Sequence, residues 1–539
     1  MTAITGIKLN KSQKEIALSE QAAAGSALNT ISVKLRLPDF NIQQVKSAAE
    51  TVFMQSDVFS ASISHDCDRY CFIPGGKAIS GCVICDELSL SDVYEYFTLQ
   101  DVMPLDFPNE LYRAEIIPIK EGGVFLYVRF HHLITDGFGM CLFVQKVLDL
   151  LECKQISPSV FFNDTEAEQS YSEDDEAFWK DYFNHVDFET SVFPGNASGF
   201  GKTVYREAQS ISFLRDLIAF AKSADVSVPY VLFSAYALYL AQATDKDEAV
   251  ILMPRLGRKP EQLNNIGCYT LLVPVRIKID RNESFSQLCR RAMCCAKKAS
   301  EHKQGGYANI MKTVSDECGV SGALSEYVFN YYSYKIDTEI EYELDISVAG
   351  AMRNHLTWNI FCQKGGMSYS LDLRQGVYNN QKAVYFTDSI KTILYEGFKN
   401  AKVCDIPIIG KQEKAELLSV KGKTVHNQED ETIPSLFRKA AEKYPNRTAL
   451  YSLDESLDFK GLDCVSDVIA SALIKKGVKC GDSVAFMLPR DIRLIPTIIG
   501  ISKAGAAFIP VDPAYPKDRI KYILEDSGAT FLILSLIHI

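Results

Sequence analysis

The sequence predicts an α/β protein built as two mixed lobes followed by a third α/β unit. Three observations predict it. Strands with apolar residues at every second position are interleaved with helices that carry a single polar stripe. An acidic stretch poor in apolar residues, 164–177, divides the first such set from the second. A polar stretch, Lys421 to Glu431, precedes a third set in which helices and strands alternate, as in an α/β sheet. At about 100–200 residues per domain, a chain of 539 residues has room for this plan. The expected boundaries are 1–170 for the first lobe, 171–411 for the second, 412–431 for a linker and 432–539 for the third unit.

The elements follow in order. Ile31 to Leu37 alternates and predicts a half-buried strand. Pro38-Asp39-Phe40 is a turn, and Asn41 caps a helix through Met54. Gly122-Gly123 opens an apolar strand, Val124 to Phe130. The helix after Gly139 shows polar residues only at Gln145, Lys146, Asp149 and Glu152, so it is largely buried. The second lobe is expected to contain strands Ala249 to Met253, Leu271 to Ile279, Tyr327 to Tyr332 and Ser368 to Leu373. Its helices are Arg215 to Ser223, Pro229 to Ala243, Phe285 to Glu301 and Gln381 to Asn400, with Pro229 in the first turn, where no backbone N–H is needed. In the third unit Ile433 to Lys443 is a helix, Tyr444-Pro445-Asn446 a turn and Ala449 to Leu453 a strand. The chain stops as a strand, Phe531 to Leu534, begins. The expectation is therefore a truncated third unit, with Ser535 to Ile539 an artefact of the truncation.

Composition narrows the function. A hydrophobic fraction of 47% and a charged fraction of 23% are ordinary globular values. A net charge of −11 argues against a nucleic-acid surface, which needs clustered Lys and Arg. No signal peptide and no run of about 18 apolar residues is visible, so no export and no membrane span are expected. The 15 cysteines then read as cytoplasmic thiols. Cys67, Cys71, Cys82 and Cys85 invite a zinc reading, but Cys82-Val83-Ile84-Cys85 lies in a strand-like run whose neighbouring side chains face opposite sides.

The chemistry concentrates at His131-His132-Leu133-Ile134-Thr135-Asp136-Gly137. Adjacent side chains on a strand point to opposite faces, so only one imidazole faces a given cavity. Asp136 arrives at a turn, where Gly137 lets the backbone bend tightly, and a buried helix follows. A strand–turn–helix context suits a rigid, pre-positioned base. On spacing alone the pair reads equally as one core histidine and one exposed histidine. A metal site is not indicated: no Glu or Cys lies at ligand spacing and the H-E-x-x-H pattern is absent.

His-His-x-x-x-Asp-Gly resembles the signature of nonribosomal peptide synthetase condensation domains and their chloramphenicol acetyltransferase-like relatives. Further segments carry the resemblance in the right order across residues 14–410. Asp174 to Phe183 resembles the family's Phe-Trp segment. Ile266 to Arg276 resembles its G-x-F-V-N-T-x-P-x-R motif. His302-Lys303-Gln304 with Tyr307 resembles H-Q-x-x-P-x-E, and Tyr327 to Tyr331 resembles the late strand. Ser502 to Pro516, with Arg519, is similar to the K-A-G-x-A-Y-x-P-x-D-x-x-Y-P motif of adenylate-forming enzymes, and Leu457-Asp458-Phe459 with Leu462 loosely fits an earlier one. Condensation followed by adenylation is the module order of these synthetases. The chain departs from the pattern at Leu271, where the family has Asn, and after His302. It departs again at Gln55 to Ser60 and at the N-terminal motif, aligned with Leu18 to Gln21.

The resemblance implies a two-lobed pseudo-dimer with a central channel, and a partial AMP-binding domain after it. It implies amide formation between a donor acyl thioester and the amine of an aminoacyl acceptor, both carried on phosphopantetheine arms of carrier proteins. No directly bound cofactor is expected; ATP and Mg²⁺ belong to a full-length adenylation domain. The phosphate loop, ribose-binding Asp and late Lys of such domains are absent from the sequence, so amino-acid activation is not expected. The partners implied are a peptidyl or acyl carrier donor in trans and downstream adenylation and carrier domains, with no nucleic acid and no membrane. His132 is the expected proton acceptor and His131 a structural neighbour. Gly137 is expected to let backbone and substrate approach closely. Asp136 is expected to pair with Arg255, with Arg258 as the competitor. Rival readings are a degenerate platform that recruits partner domains and an acyl-CoA-dependent acyltransferase. An epimerisation domain shares the His pair but closes modules, and a cyclisation domain replaces that pair with aspartates.

Overall fold

The computed structural model describes residues 6–66, 69–162, 171–186, 200–319, 323–347, 351–363, 366–420, 431–452 and 455–534. The chain divides into one unit ending at Ser419 and another beginning at Val420.

The first lobe is built on a five-stranded sheet in the order Glu343–Ser347, Thr30–Leu37, Val124–His131, Tyr112–Pro118, Val83–Ile84. Thr30–Leu37 runs antiparallel to Val124–His131, with Thr30 opposite His131. Helix Ile42–Met54, capped as expected by Asn41 in a reciprocal box with Gln44, packs on one face beside helix Gly137–Leu151. Phe53, Phe130 and Phe143 meet there. The strand expected to be half-buried is buried on both faces. Helix Leu90–Asp101 covers the far side, with Phe97 against Phe125 and Tyr127. The polar alternates therefore find partners beneath it: Asp101 accepts from Ser32 Oγ at 2.8 Å, Tyr127 Oη at 2.8 Å and Lys34 Nζ at 2.5 Å. Alternation marks which residues share a face; it does not reveal that a later helix covers the polar one.

The second lobe holds a six-stranded sheet in the order Leu271–Lys278, Glu248–Arg255, Tyr327–Tyr332, Leu356–Gln363, Gly366–Arg374, Lys202–Ala208. Helices Val228–Ala243, Phe285–Glu301 and Asn380–Phe398 build its core, where Tyr236, Trp358 and Phe386 pack edge to face. Across three neighbouring strands Asn330, Asn359 and Ser370 stand in register. Asn330 Nδ2 donates to Asn359 Oδ1 at 2.7 Å and Asn359 Nδ2 to Ser370 Oγ at 3.2 Å.

Two expectations need correction. Residues 173–177 are not a loose connection: they begin helix Glu173–Tyr182, capped by Ser172, whose acidic first turn faces the positive end of the helix. Residues 164–170 of that stretch lie outside the described residues. Nor does 171–411 form the second lobe alone. Strand Glu343–Ser347 crosses back and pairs antiparallel with Thr30–Leu37, Asp345 opposite Lys34. The crossing segment is tied to the first lobe's long helix. Gln145 and the Asp337 backbone exchange two hydrogen bonds of 2.8 Å, and Glu152 accepts from Thr338 Oγ1 and Glu339 N.

The unit after Ser419 has three parallel strands in the order Ala507–Pro510, Ser483–Phe486, Phe531–Ile533. Its core includes Ile469, Leu473, Val484, Phe486 and Ile501. Helix Ile433–Lys443 has the expected bounds, with Thr432 as cap and proline in the first turn. Of the expected linker, Lys411–Ser419 is an exposed helix, 421–430 is outside the described residues, and so is the tail 535–539. Among the described residues no single helix is long and apolar enough to cross a membrane.

Candidate active site

Strand Val124–His131 delivers the histidine pair to the boundary between the lobes. The His132 N–H donates to Asn29 O at 2.7 Å, and Leu133 and Ile134 are buried in the first-lobe core. The two imidazoles separate as the strand geometry requires. His131 turns inward, stacked on Phe107 with ring centres 4.5 Å apart. Its Nδ1 accepts from Leu133 N at 3.2 Å, so the proton resides on Nε2, which faces Glu20 Oε2 at 3.3 Å. His131 is 2% exposed and packs into the first lobe, away from the cavity.

His132 is half-buried and lines a cavity of about 470 Å³. The first lobe contributes His132, Gly137 and Cys141 to its wall, and the second contributes Arg255, Thr270 and Asn330. Nδ1 of His132 lies 3.8 Å from Cys268 Sγ, which leaves Nε2 for a reactant. Burial lowers the imidazole's proton affinity. Ring hydrogen bonds to the His132 and Thr135 backbone and the Asp136 charge oppose that without reversing it. The ring is therefore neutral at neutral pH and free to accept a proton. Burial pushes the Cys268 thiol well above its ordinary value, so it stays a thiol.

Asp136 does not face the cavity. It is the N-cap of helix Gly137–Leu151, and its Oδ1 accepts from Gly139 N at 2.8 Å and Arg258 Nη2 at 2.9 Å. Its Oδ2 accepts from Tyr269 N at 2.9 Å and from Thr270 N and Oγ1 at 3.0 Å. Burial alone would raise this carboxyl; the Arg258 charge and the Tyr269 and Gly139 N–H groups outweigh it and hold Asp136 below its usual value. With both oxygens filled, Asp136 clamps the motif to the second lobe.

The partner in that clamp is Arg258, not Arg255. Both side chains of the pair are 0% exposed. Arg258 also donates to Gly267 O at 2.8 Å and Asn265 O at 2.5 Å, and its guanidinium lies 4.3 Å from the Tyr269 ring centre. Arg255 is the last residue of its strand and instead lies over Tyr230 and lines the His132 cavity. Between them Gly257 makes the turn: a Cβ there would sit 2.2 Å from Tyr269 O.

The tight bend expected at Gly137 is corrected as well. Its backbone needs no unusual turn; it is small because a Cβ would stand 2.6 Å from Tyr332 Cε1, across the lobe boundary. The second lobe's own ring thus approaches Gly137, which also lines the His132 cavity. Gly139 does the same for the clamp, where a Cβ would meet Thr135 Oγ1 at 2.3 Å and Gly267 O at 3.2 Å. Gly137→Ala is expected to push Tyr332 into the cavity and reduce turnover, and Tyr332→Ala in the same chain should restore part of it. Turnover by Gly137→Ala equal to wild type would contradict this steric role.

The other motif segments meet one another. Trp179 Nε1 donates to His302 O at 3.0 Å, His302 Nδ1 is 2.9 Å from Asp175 Oδ1, and Phe178 stacks on His302. Sequence reasoning missed Asn330, whose Oδ1 is buried without a partner in a residue that lines the cavity; in the sequence it is one more residue of the strand Tyr327 to Tyr332. Among the described residues no cluster of His, Cys, Asp and Glu is arranged to hold a metal ion; Cys67 lies outside them.

Residues 7–418 match the family model described as Condensation domain, and residues 437–538 that described as AMP-binding enzyme. The chain is similar to surfactin synthase subunit 1 of Bacillus subtilis (strain 168), 26% identical over 458 residues that cover 80% of this chain and 13% of the relative. It is similar to bacitracin synthase 3 of Bacillus licheniformis, 25% identical over 562 residues that cover 98% of this chain and 9% of the relative. The chain thus spans a small part of the length of these curated relatives. Among solved structures, a holo four-domain nonribosomal peptide synthetase bound to AMP and glycine aligns with a TM-score of 0.70 at 16% identity, covering 98% of this chain and 43% of that one. The first condensation domain of the calcium-dependent antibiotic synthetase aligns with a TM-score of 0.66 at 15% identity, covering 75% of this chain and 100% of that one. These two likenesses are of fold alone.

Proposed function

The chain belongs to the condensation-domain family, and from that premise we propose that it forms amide bonds, joining a carrier-bound acyl thioester to the amine of a carrier-bound aminoacyl group. The single observation that carries this reading is His132: a neutral imidazole, open to a cavity walled by both lobes and held from behind by the Asp136–Arg258 clamp. Arg255 and Asn330 are proposed as substrate-facing residues of the same cavity. The substrates are the thioesters themselves, carried on phosphopantetheine arms, and the compartment proposed is the cytoplasm, where such arms stay reduced.

In this reaction the acceptor nitrogen attacks the thioester carbonyl, the new C–N bond forms, the C–S bond breaks and the donor arm leaves as a thiol. An α-amine has a reference pKa of about 8 against about 6.5 for histidine, so much of the amine is already near its neutral form at pH 7–8. His132 Nε2 orients the nitrogen, accepts its proton and can return it to the departing sulfur. General-base assistance is worth about 10²–10⁴-fold, whereas holding two tethered reactants in contact can supply about 7–11 kcal/mol. The lobe boundary therefore does more of the work than the base.

The test is to supply the chain with an acyl-loaded donor carrier and an aminoacyl-loaded acceptor and to weigh the acceptor arm by mass spectrometry from pH 5 to 9. The expected result is a condensed product whose rate rises with pH as the amine loses its proton. Because burial lowers His132, the share of the rate that depends on His132 should disappear only below about pH 6.5, the ordinary histidine value. Acyl transfer to water alone would contradict the reading, as would a His132-dependent loss centred above that pH.

A further inference from the structure

The helix Lys11–Ala22 enters the site from a part of the sequence to which no role has been assigned. Its first turn is closed by a capping box: Asn10 Oδ1 accepts from Gln13 N at 2.9 Å and Gln13 Oε1 accepts from Asn10 N at 3.0 Å. Each residue then has amide hydrogens left over, and each spends them outside the helix. Gln13 Nε2 donates to Leu133 O at 2.9 Å, the carbonyl of the residue after His132. Asn10 Nδ2 donates to Cys268 O at 2.9 Å, in the second lobe. Cys268 is the residue whose sulfur faces His132 Nδ1 at 3.8 Å. A single capping box thus grips the backbone on both sides of the His132–Cys268 contact, one strand of chain from each lobe. Gln13 is 0% exposed, so its hydrogen bond to Leu133 has no competing water.

The rest of the helix reinforces the same placement. Lys11 Nζ donates to Gln304 O, and Glu15 Oε1 accepts from Ala308 N at 3.2 Å, both in the second lobe. Near the helix end Glu20 faces His131 Nε2. The helix is therefore keyed along its length to the histidine motif on one side and to the second lobe on the other.

We propose that Gln13 and Asn10 are positioning residues that fix His132 against the second lobe. The proposal rests on the amide-forming reading above. Neither side chain touches the cavity; both act through the backbone that carries His132 and Cys268. An error of about 1 Å in the placement of a reacting group can cost about 10²-fold in rate, so the expected effect lies in turnover rather than in substrate binding.

Two variants test the positioning, and the first of them separates it from helix stability. Asn10→Ser keeps a side-chain oxygen that caps the helix, since serine is among the preferred caps, and loses the reach to Cys268. Gln13→Met keeps the volume and loses both the donor to Leu133 and the acceptor for the Asn10 N–H. For each, kcat and KM are measured with loaded carriers, the melting temperature is recorded, and the His132 ring signal is followed by NMR with ¹³C-labelled histidine. The expected result for Asn10→Ser is an unchanged melting temperature, a kcat lowered about tenfold or more with KM within about twofold, and a displaced His132 signal. A His132 signal at its wild-type position overturns the proposal whatever the rate, and a kcat within about twofold of wild type overturns it too. Should Gln13→Met fail to fold, Asn10→Ser decides alone. If the wild-type chain forms no amide at all, the functional reading fails, and the ring signal still decides whether these residues place His132.

Discussion

Asp136→Ala is expected to unfold the clamp between the lobes: removing one member of a buried ion pair costs about 3–5 kcal/mol, because the other charge is left without compensation. Asp136 and Arg258 are both fully buried, 2.9 Å apart, and the same carboxylate caps a helix and binds Tyr269 and Thr270. Arg258→Ala should be as damaging, and the double variant should lose less than the sum of the two. Arg255→Ala should leave the melting temperature near wild type while lowering turnover, since Arg255 lines the cavity and takes no part in the clamp. The protein's two tryptophans, Trp179 and Trp358, are both buried in the second lobe, so their fluorescence reports on the lobe that carries Arg258. An unchanged transition in Asp136→Ala, or a large one in Arg255→Ala, would contradict the assignment. The pH dependence has a definite sign. The folded carboxyl is held below its unfolded value, so its contribution is complete above about pH 4, the unfolded value, and is lost as pH falls through the lowered folded value. The clamp is therefore intact wherever the reaction is assayed.

His132→Ala is expected to behave in the opposite way. The side chain is half-buried, its ring hydrogen bonds are local, to its own backbone and that of Thr135, and the Cys268 thiol lies 3.8 Å away, so its loss breaks little that holds the fold. The melting temperature should be close to wild type. Amide formation should fall by about 10²–10⁴-fold, the usual worth of general-base assistance. A fall accompanied by collapse of the fold would mean that His132 is structural. The pair of predictions separates two losses of activity that look alike in a crude assay: one through the scaffold, one through the reacting group.

The histidine motif, its strand–turn–helix setting and many of the regular elements of both lobes were legible in the sequence because they rest on local patterns, whereas Tyr112–Pro118, Lys202–Ala208 and Leu356–Gln363 were not expected. The strand Val124–His131 follows from an apolar run opened by two glycines, and the helix Ile42–Met54 from a cap residue. The opposite facing of His131 and His132 follows from strand geometry alone. What was not legible depends on contacts between distant segments. Arg255 and Arg258 are separated by one turn, and only the course of that turn past Gly257 decides which enters the core. Gly137 suggested a tight bend, whereas its small size serves the ring of Tyr332, nearly two hundred residues away in sequence. Strand Glu343–Ser347 looks like part of the second lobe because it lies among that lobe's residues, yet its partner is Thr30–Leu37. Gln13 and Asn10 gave no signal in the sequence, and only the donors left over from their capping box, aimed at Leu133 and Cys268, tie them to the site.

The most direct measurement of the central claim is a single-turnover comparison of wild type and His132→Ala at neutral pH, with both carriers loaded and both proteins shown to melt alike. The account predicts that the acceptor arm gains the mass of the donor acyl group and the donor arm returns as a free thiol in wild type, and that His132→Ala forms the same product about a hundredfold or more slowly. Condensed product formed at the same rate by both proteins, or by neither, would contradict it.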